Sequence, residues 1–95
     1  MVKIYKYEII PGGVKSHTDR FVAVLKTDWQ GSNLCVWCLV SEFARESTIT
    51  FMSLPTGYEF PYSDEMHYLD SIKDGPYVWH VFYTLKVDNC KRTDN

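Results

Sequence analysis

The side chains able to do chemistry are few, and their spacing limits what they can do. Cys35-Val36-Trp37-Cys38 has the spacing of a C-x-x-C pair. A redox pair of that kind sits at a helix start, where the dipole lowers a thiol pKa. Here it lies within Leu34–Val40, a continuous apolar run that is short for a helix and suits a strand covered on both faces. Residues three apart on a strand point to opposite faces, so these thiols neither bridge nor share a metal; they read as two buried small hydrophobes. A structural zinc site needs a second close ligand pair, and the remaining thiol is Cys90 in the polar end of the chain. No metal site and no cofactor is assigned.

His17, His67 and His80 stand apart from one another in the sequence. His80 is flanked by Trp79, Val81 and Phe82, and on a strand it shares a face with Val78 and Phe82. A half-buried imidazole there can act as a general base or touch a ligand, while its simpler role is to hydrogen-bond a neighbouring carbonyl. Asp64-Glu65, Asp70 and Asp74 form a loose acidic stretch. Paired carboxylates do acid–base work only when their environments push their pKa values apart. Nothing in this spacing fixes their geometry, so they read as a solvated rim. The sequence has no nucleophile elbow and no glycine-rich phosphate loop, and no catalytic residue is assigned. A small enzyme using His80 would need a carboxylate within hydrogen-bond reach of that ring.

The elements that must position these groups are strands. Lys3–Ile10 alternates in part and is ended by Pro11-Gly12-Gly13. Val14–Asp19 is polar and reads as loop. Arg20–Thr27 is a second strand, and Asp28–Asn33, with Trp29 inside it, has turn composition, which makes a hairpin with Leu34–Val40. Ser41–Ser47 is a loop or a single helical turn. Thr48–Leu54 is a strand broken by Pro55-Thr56-Gly57, and Tyr58–Glu65 is irregular. Met66–Ile72 is read as a strand, and Tyr77–Val87 is the strongest strand of the chain. About six short antiparallel strands follow, in a small curled sheet, barrel or sandwich: an all-β domain over residues 1–87 with a polar tail at 88–95.

Bulk composition bounds the function. With 95 residues the chain has room for one core. Aromatic residues make up 16 %, a heavy share that fills a small core with few side chains. Ten Lys and Arg face twelve Asp and Glu, scattered apart from Lys91-Arg92, so duplex nucleic acid is not the expected partner. No apolar stretch is long enough to span a bilayer, the charged start is not a signal peptide, and an odd number of cysteines fits reduced thiols. A cytoplasmic location is expected.

The opening Lys3-Ile4-Tyr5-Lys6-Tyr7, the apolar strand around Trp37, the Pro55-Thr56-Gly57 break and the closing Tyr77-Val78-Trp79-His80-Val81-Phe82 together resemble a family of short proteins of tailed bacteriophages and prophages. The resemblance spans most of residues 3–83. It is weakest over Tyr58–His67, and the family commonly ends where this chain continues past Tyr83. It implies a phage setting and carries no functional residue. An accessory protein that binds a host protein, for host takeover or counter-defence, is the reading it supports. A nucleotide-sequestering protein and a minor virion protein are the alternatives.

Aromatic surplus marks the candidate contact residues: His80, Trp37, Trp79, Phe82 and Trp29. In Tyr77–Tyr83 one parity (Tyr77, Trp79, Val81, Tyr83) is assigned to the core. The other (Val78, His80, Phe82) is left to be covered, either by a second copy in a symmetric homodimer or internally by Met66–Ile72. Protein unfolded without oxidant should titrate as three free thiols. An intramolecular Cys35–Cys38 bridge in the product would contradict the strand assigned there.

Overall fold

The computed structural model describes residues 1–88. It is all-β, with seven strands: β1 (Val2–Glu8), β2 (Val14–Asp19), β3 (Phe21–Gln30), β4 (Asn33–Ser41), β5 (Ser47–Pro55), β6 (His67–Asp74) and β7 (Tyr77–Val87). Every strand pairing is antiparallel. The strands form two sheets, a three-stranded one ordered β1-β4-β3 and a four-stranded one ordered β2-β5-β7-β6. The expected curled sheet is therefore an open sandwich and not a closed barrel.

Alternation explains the layers. On β5, Ser47, Ile49, Phe51 and Ser53 are buried, while Thr48, Thr50, Met52 and Leu54 between them are half-buried on the outer face. On β4, Leu34, Val36, Cys38 and Val40 turn inward. Leu34, Val36 and Cys38 meet Ile49, Phe51 and Val81 of the other sheet, and Ile9 and Ile72 complete the cluster. A strand that buries one face and half-covers the other reads as a nearly unbroken apolar run, which is why β4 shows little alternation in sequence.

The seventh strand corrects the sequence reading: Val14–Asp19, taken as loop, is β2. Its polar residues are compatible with a strand because it lies at the edge of its sheet. Ser16 and Thr18 face outward, and their hydroxyls bond those of Thr50 and Thr48, each at 2.8 Å. The turn expected over Asp28–Asn33 is also tighter than its composition suggests. β3 runs on to Gln30, which pairs with Asn33 across Gly31-Ser32. Of the tail expected at 88–95, only Asp88 lies among the described residues, and its N–H donates to the Glu46 carbonyl.

Phe51→Ala should cost about 3–5 kcal/mol of folding stability, because the cavity it leaves faces packed side chains from both sheets. Ser16→Ala, at the hydrated edge, should stay within about 0.5 kcal/mol. Urea unfolding of both variants beside the parent checks the contrast.

Candidate functional site

The first half of β7 brings most of the chemistry together. Val81 faces inward and is fully buried. Trp79, of the same parity, is partly buried; its indole N–H donates to the Asp74 carboxylate at 2.9 Å, and Tyr77 stacks on it with ring centroids 6.2 Å apart. The six-membered edge of the indole lies against Gly12, where a Cβ would come within 3.2 Å of the ring. Gly12 also has φ +71°, so both its conformation and the ring's approach favour glycine. Beside this contact is a mainly apolar cleft of about 290 Å³, bordered by Gly12, Gly13, Leu54, Pro55, Tyr58 and Trp79. The Tyr58 side of the cleft is well exposed.

His80 and Phe82 point to the opposite, outer face of the sheet. His80 Nε2 is 2.7 Å from the Thr56 hydroxyl and its Nδ1 is 3.1 Å from that of Ser71. The Tyr68 hydroxyl in turn bonds Ser71. A neutral imidazole donates through one nitrogen and accepts at the other, and hydroxyls serve either role. The sequence pointed to a backbone carbonyl as the partner of His80; side-chain hydroxyls take that place. The carboxylates nearest in the chain are engaged elsewhere: Asp70 caps the Ser71 N–H and Asp74 holds Trp79. His80 therefore has no carboxylate hydrogen-bond partner among the described residues. Phe82 is sandwiched between Phe60 (5.6 Å) and Tyr68 (5.3 Å). The second face of β7 is thus covered from within the chain, by β6 and by the connection that leads to it. The core face also differs in one member: Tyr77 is exposed, whereas Trp79 and Tyr83 are partly buried.

The remaining candidates lie apart from this cluster. Trp37 is on the outer face of the three-stranded sheet, with Lys26 Nζ 5.5 Å from its ring centre. Trp29 donates its indole N–H to the Lys73 carbonyl at 2.7 Å, which braces β3 of one sheet against β6 of the other. Tyr58, Thr56 and Ser71 were not singled out from the sequence. A tyrosine directly after a Pro-Thr-Gly break was the one signal available for Tyr58.

Cys35 and Cys38 are buried free thiols on opposite faces of β4. Burial raises both pKa values, that of Cys38 to about 12. Tyr7 is also pushed well above the ordinary tyrosine range, first by burial and then by its 2.7 Å hydrogen bond to the Asp19 carboxylate. Among the described residues no group of three or more His, Cys, Asp and Glu is placed to hold a metal ion. No helix there is long and apolar enough to cross a membrane.

Fold and site together define a small antiparallel sandwich domain with an aromatic cleft at the start of its longest strand. Over residues 1–89 the chain matches the family described as domain of unknown function DUF7352, and it belongs to that family. No curated protein and no solved structure matches it.

The thiol shifts have a definite sign in pH. A thiol in the open chain ionises near 9.0, whereas folded Cys38 holds its proton to about 12. The Cys38 contribution to folding stability should therefore be fully present below pH 9 and be lost between pH 9 and 12 as the unfolded state sheds its proton first. Cys38→Ala should flatten part of that fall in urea titrations across the alkaline range.

Proposed function

We propose that this domain is a non-catalytic binding module whose contact surface is the cleft between Trp79 and Tyr58. In the phage setting implied by the sequence resemblance, its partner is a host protein. The observation that carries this reading is the cleft itself: an apolar hollow bordered by Trp79, Tyr58, Gly12 and Gly13, with the Trp79 indole tied to Asp74 by a hydrogen bond. Clefts of this composition take an apolar or ring-bearing side chain of a partner, with aromatic rings as anchors. The hydroxyl partners of His80 argue the same way, since they give it a structural role and leave it without the carboxylate that acid–base catalysis would use.

A second reading, sequestration of a small anionic ligand such as a nucleotide, is favoured by one other hollow. It has about 210 Å³ and is bordered by Lys3, Tyr5 and Arg20, two cations beside an aromatic ring. Asp19 and Glu42 also border it, which weakens its pull on a phosphate.

Affinity capture from host lysate separates the two. A protein partner held through the cleft should be retained by the parent and by Trp37→Ala. It should be lost, by roughly tenfold or more, with Tyr58→Ala, the truncation of a single aromatic anchor. Retention by Tyr58→Ala would remove the cleft from the interface. A nucleotide-dependent rise in melting temperature that disappears in Arg20→Gln would favour the second reading instead.

A further inference from the structure

The sandwich has four sheet edges, and they are not equally protected. β3 breaks register between Phe21 and Ala23 and again between Val24 and Lys26, and β6 breaks register between Tyr68 and Asp70. Such bulges spoil an edge as a template for another strand. β2 is regular, but its outer side chains are largely hydroxyls already bonded to β5. β1 is regular and carries exposed apolar side chains between its charged ones, Lys3, Lys6 and Glu8. It pairs residue for residue with β4 from Val2 to Glu8, has no strand on its other side, and leaves Val2, Ile4 and Tyr5 between 43 and 60 % exposed.

The hydrogen-bond phase of β1 is fixed by one contact. Ile9 N–H donates to the Leu34 carbonyl at 2.9 Å, so Ile9 and Leu34 are a directly bonded pair. In an antiparallel ladder bonded and non-bonded pairs alternate. Tyr7, Tyr5 and Lys3 therefore bond β4, while Val2, Ile4, Lys6 and Glu8 turn their N–H and C=O groups to the open side. The Glu8 carbonyl confirms the phase, because it reaches out of the sheet to accept from His17 Nε2 at 2.8 Å.

From this we infer that β1 is a self-pairing edge: two copies of the chain join antiparallel through β1, with Ile4 facing Ile4 on the two-fold axis. Their three-stranded sheets become one continuous sheet. A two-fold axis perpendicular to the sheet keeps both outer faces on the same side, so paired residues share parity. Three registers centre on the strand. With Lys6 on the axis, two ammonium groups oppose each other, which is unfavourable. With Tyr5 on the axis, the Glu8 carbonyl is needed and is already bound to His17. With Ile4 on the axis, Val2 exchanges hydrogen bonds with Lys6 of the second copy and Ile4 with Ile4, using open backbone groups and leaving Glu8 alone. On the outer face Ile4 then meets Ile4, and Val2 lies opposite Lys6 of the second copy and diagonal to its Ile4. On the inner face Lys3 of each copy lies opposite the Tyr5 ring of the other, a cation–π arrangement. This surface is separate from the Trp79 cleft. The contact is smaller than the roughly 1,000 Å² typical of stable interfaces, so the dimer is concentration-dependent.

Sedimentation equilibrium from low micromolar to near-millimolar concentration tests the proposal. The average mass of the parent should rise from 11.1 kDa towards twice that value. Ile4→Pro removes an N–H that β4 does not use, and should hold the mass at the monomer value with an unchanged strand signature in circular dichroism. A parent that stays monomeric throughout overturns the inference, as does a folded Ile4→Pro that still dimerises. Should Ile4→Pro fail to fold, cysteine cross-linking in a Cys90→Ser background decides. Under mild oxidation Ile4→Cys should form a disulfide dimer and Glu8→Cys should not; the reverse pattern, or no cross-link with either, overturns it.

Discussion

The structure depends on the meeting of two inward rows of side chains: Leu34, Val36 and Cys38 of β4 against Ile49, Phe51 and Val81 of β5 and β7. Among the described residues, charge pairing adds little to this cohesion. Besides the N-terminal contact with Glu42, the ion pair among the described residues is Lys26 with Asp28, within one strand and exposed. Exposed pairs of that kind contribute little. Hydrogen bonds between the layers, such as Trp29 to Lys73, fix their relative position and add little to burial. The small hydrophobes at this interface include both a thiol and Val81 on the strand that carries the cleft. The site therefore inherits its rigidity from the core: Trp79 and His80 project to opposite sides of a backbone whose next inward residue is fully buried.

What the sequence disclosed followed from how each strand is buried. β7 was legible to its bounds, because aromatic and β-branched residues dominate Tyr77 to Val87 and only His80, Leu85 and Lys86 depart from them. β4 and β5 were legible within a residue or so for the same reason. β2 was hidden because an edge strand with a hydroxyl ladder on its outer face carries no apolar period; its partners are supplied by β5, more than thirty residues away for Ser16. The Met66–Ile72 segment was recognisable as a strand, and its register break beside Leu69 was not.

The site divides in the same manner. Trp79, His80 and Phe82 stood out because aromatic density flags them locally. The groups that define their environment did not. Thr56 lies 24 residues from His80 in the chain, and Gly12 meets Trp79 only after the sheets have packed. Trp37 and Trp29 were flagged by the same density and serve elsewhere, one on the opposite outer face and one as a brace between sheets. Residue type alone does not separate these placements: the indole N–H groups of Trp79 and Trp29 both donate to β6, and what distinguishes the two rings is the set of groups packed beside each.

The strand order of the larger sheet bears on how the chain comes to be folded. β7, the last strand among the described residues, lies in the interior of its sheet between β5 and β6. The three-stranded sheet can be assembled from the first 41 residues, since β1, β3 and β4 are all present by then. The larger sheet has a gap at its centre until β7 is available: β6 has no strand to pair with, and β5 has β2 alone. A chain emerging from a ribosome therefore carries half of its sandwich with the inner face uncovered until β7 clears the exit tunnel. Sequence-distant pairings of this sort also make folding slow. Such a half-built sandwich is open to aggregation or to capture by another copy's β7, and the inner row of Leu34, Val36 and Cys38 is the surface left uncovered.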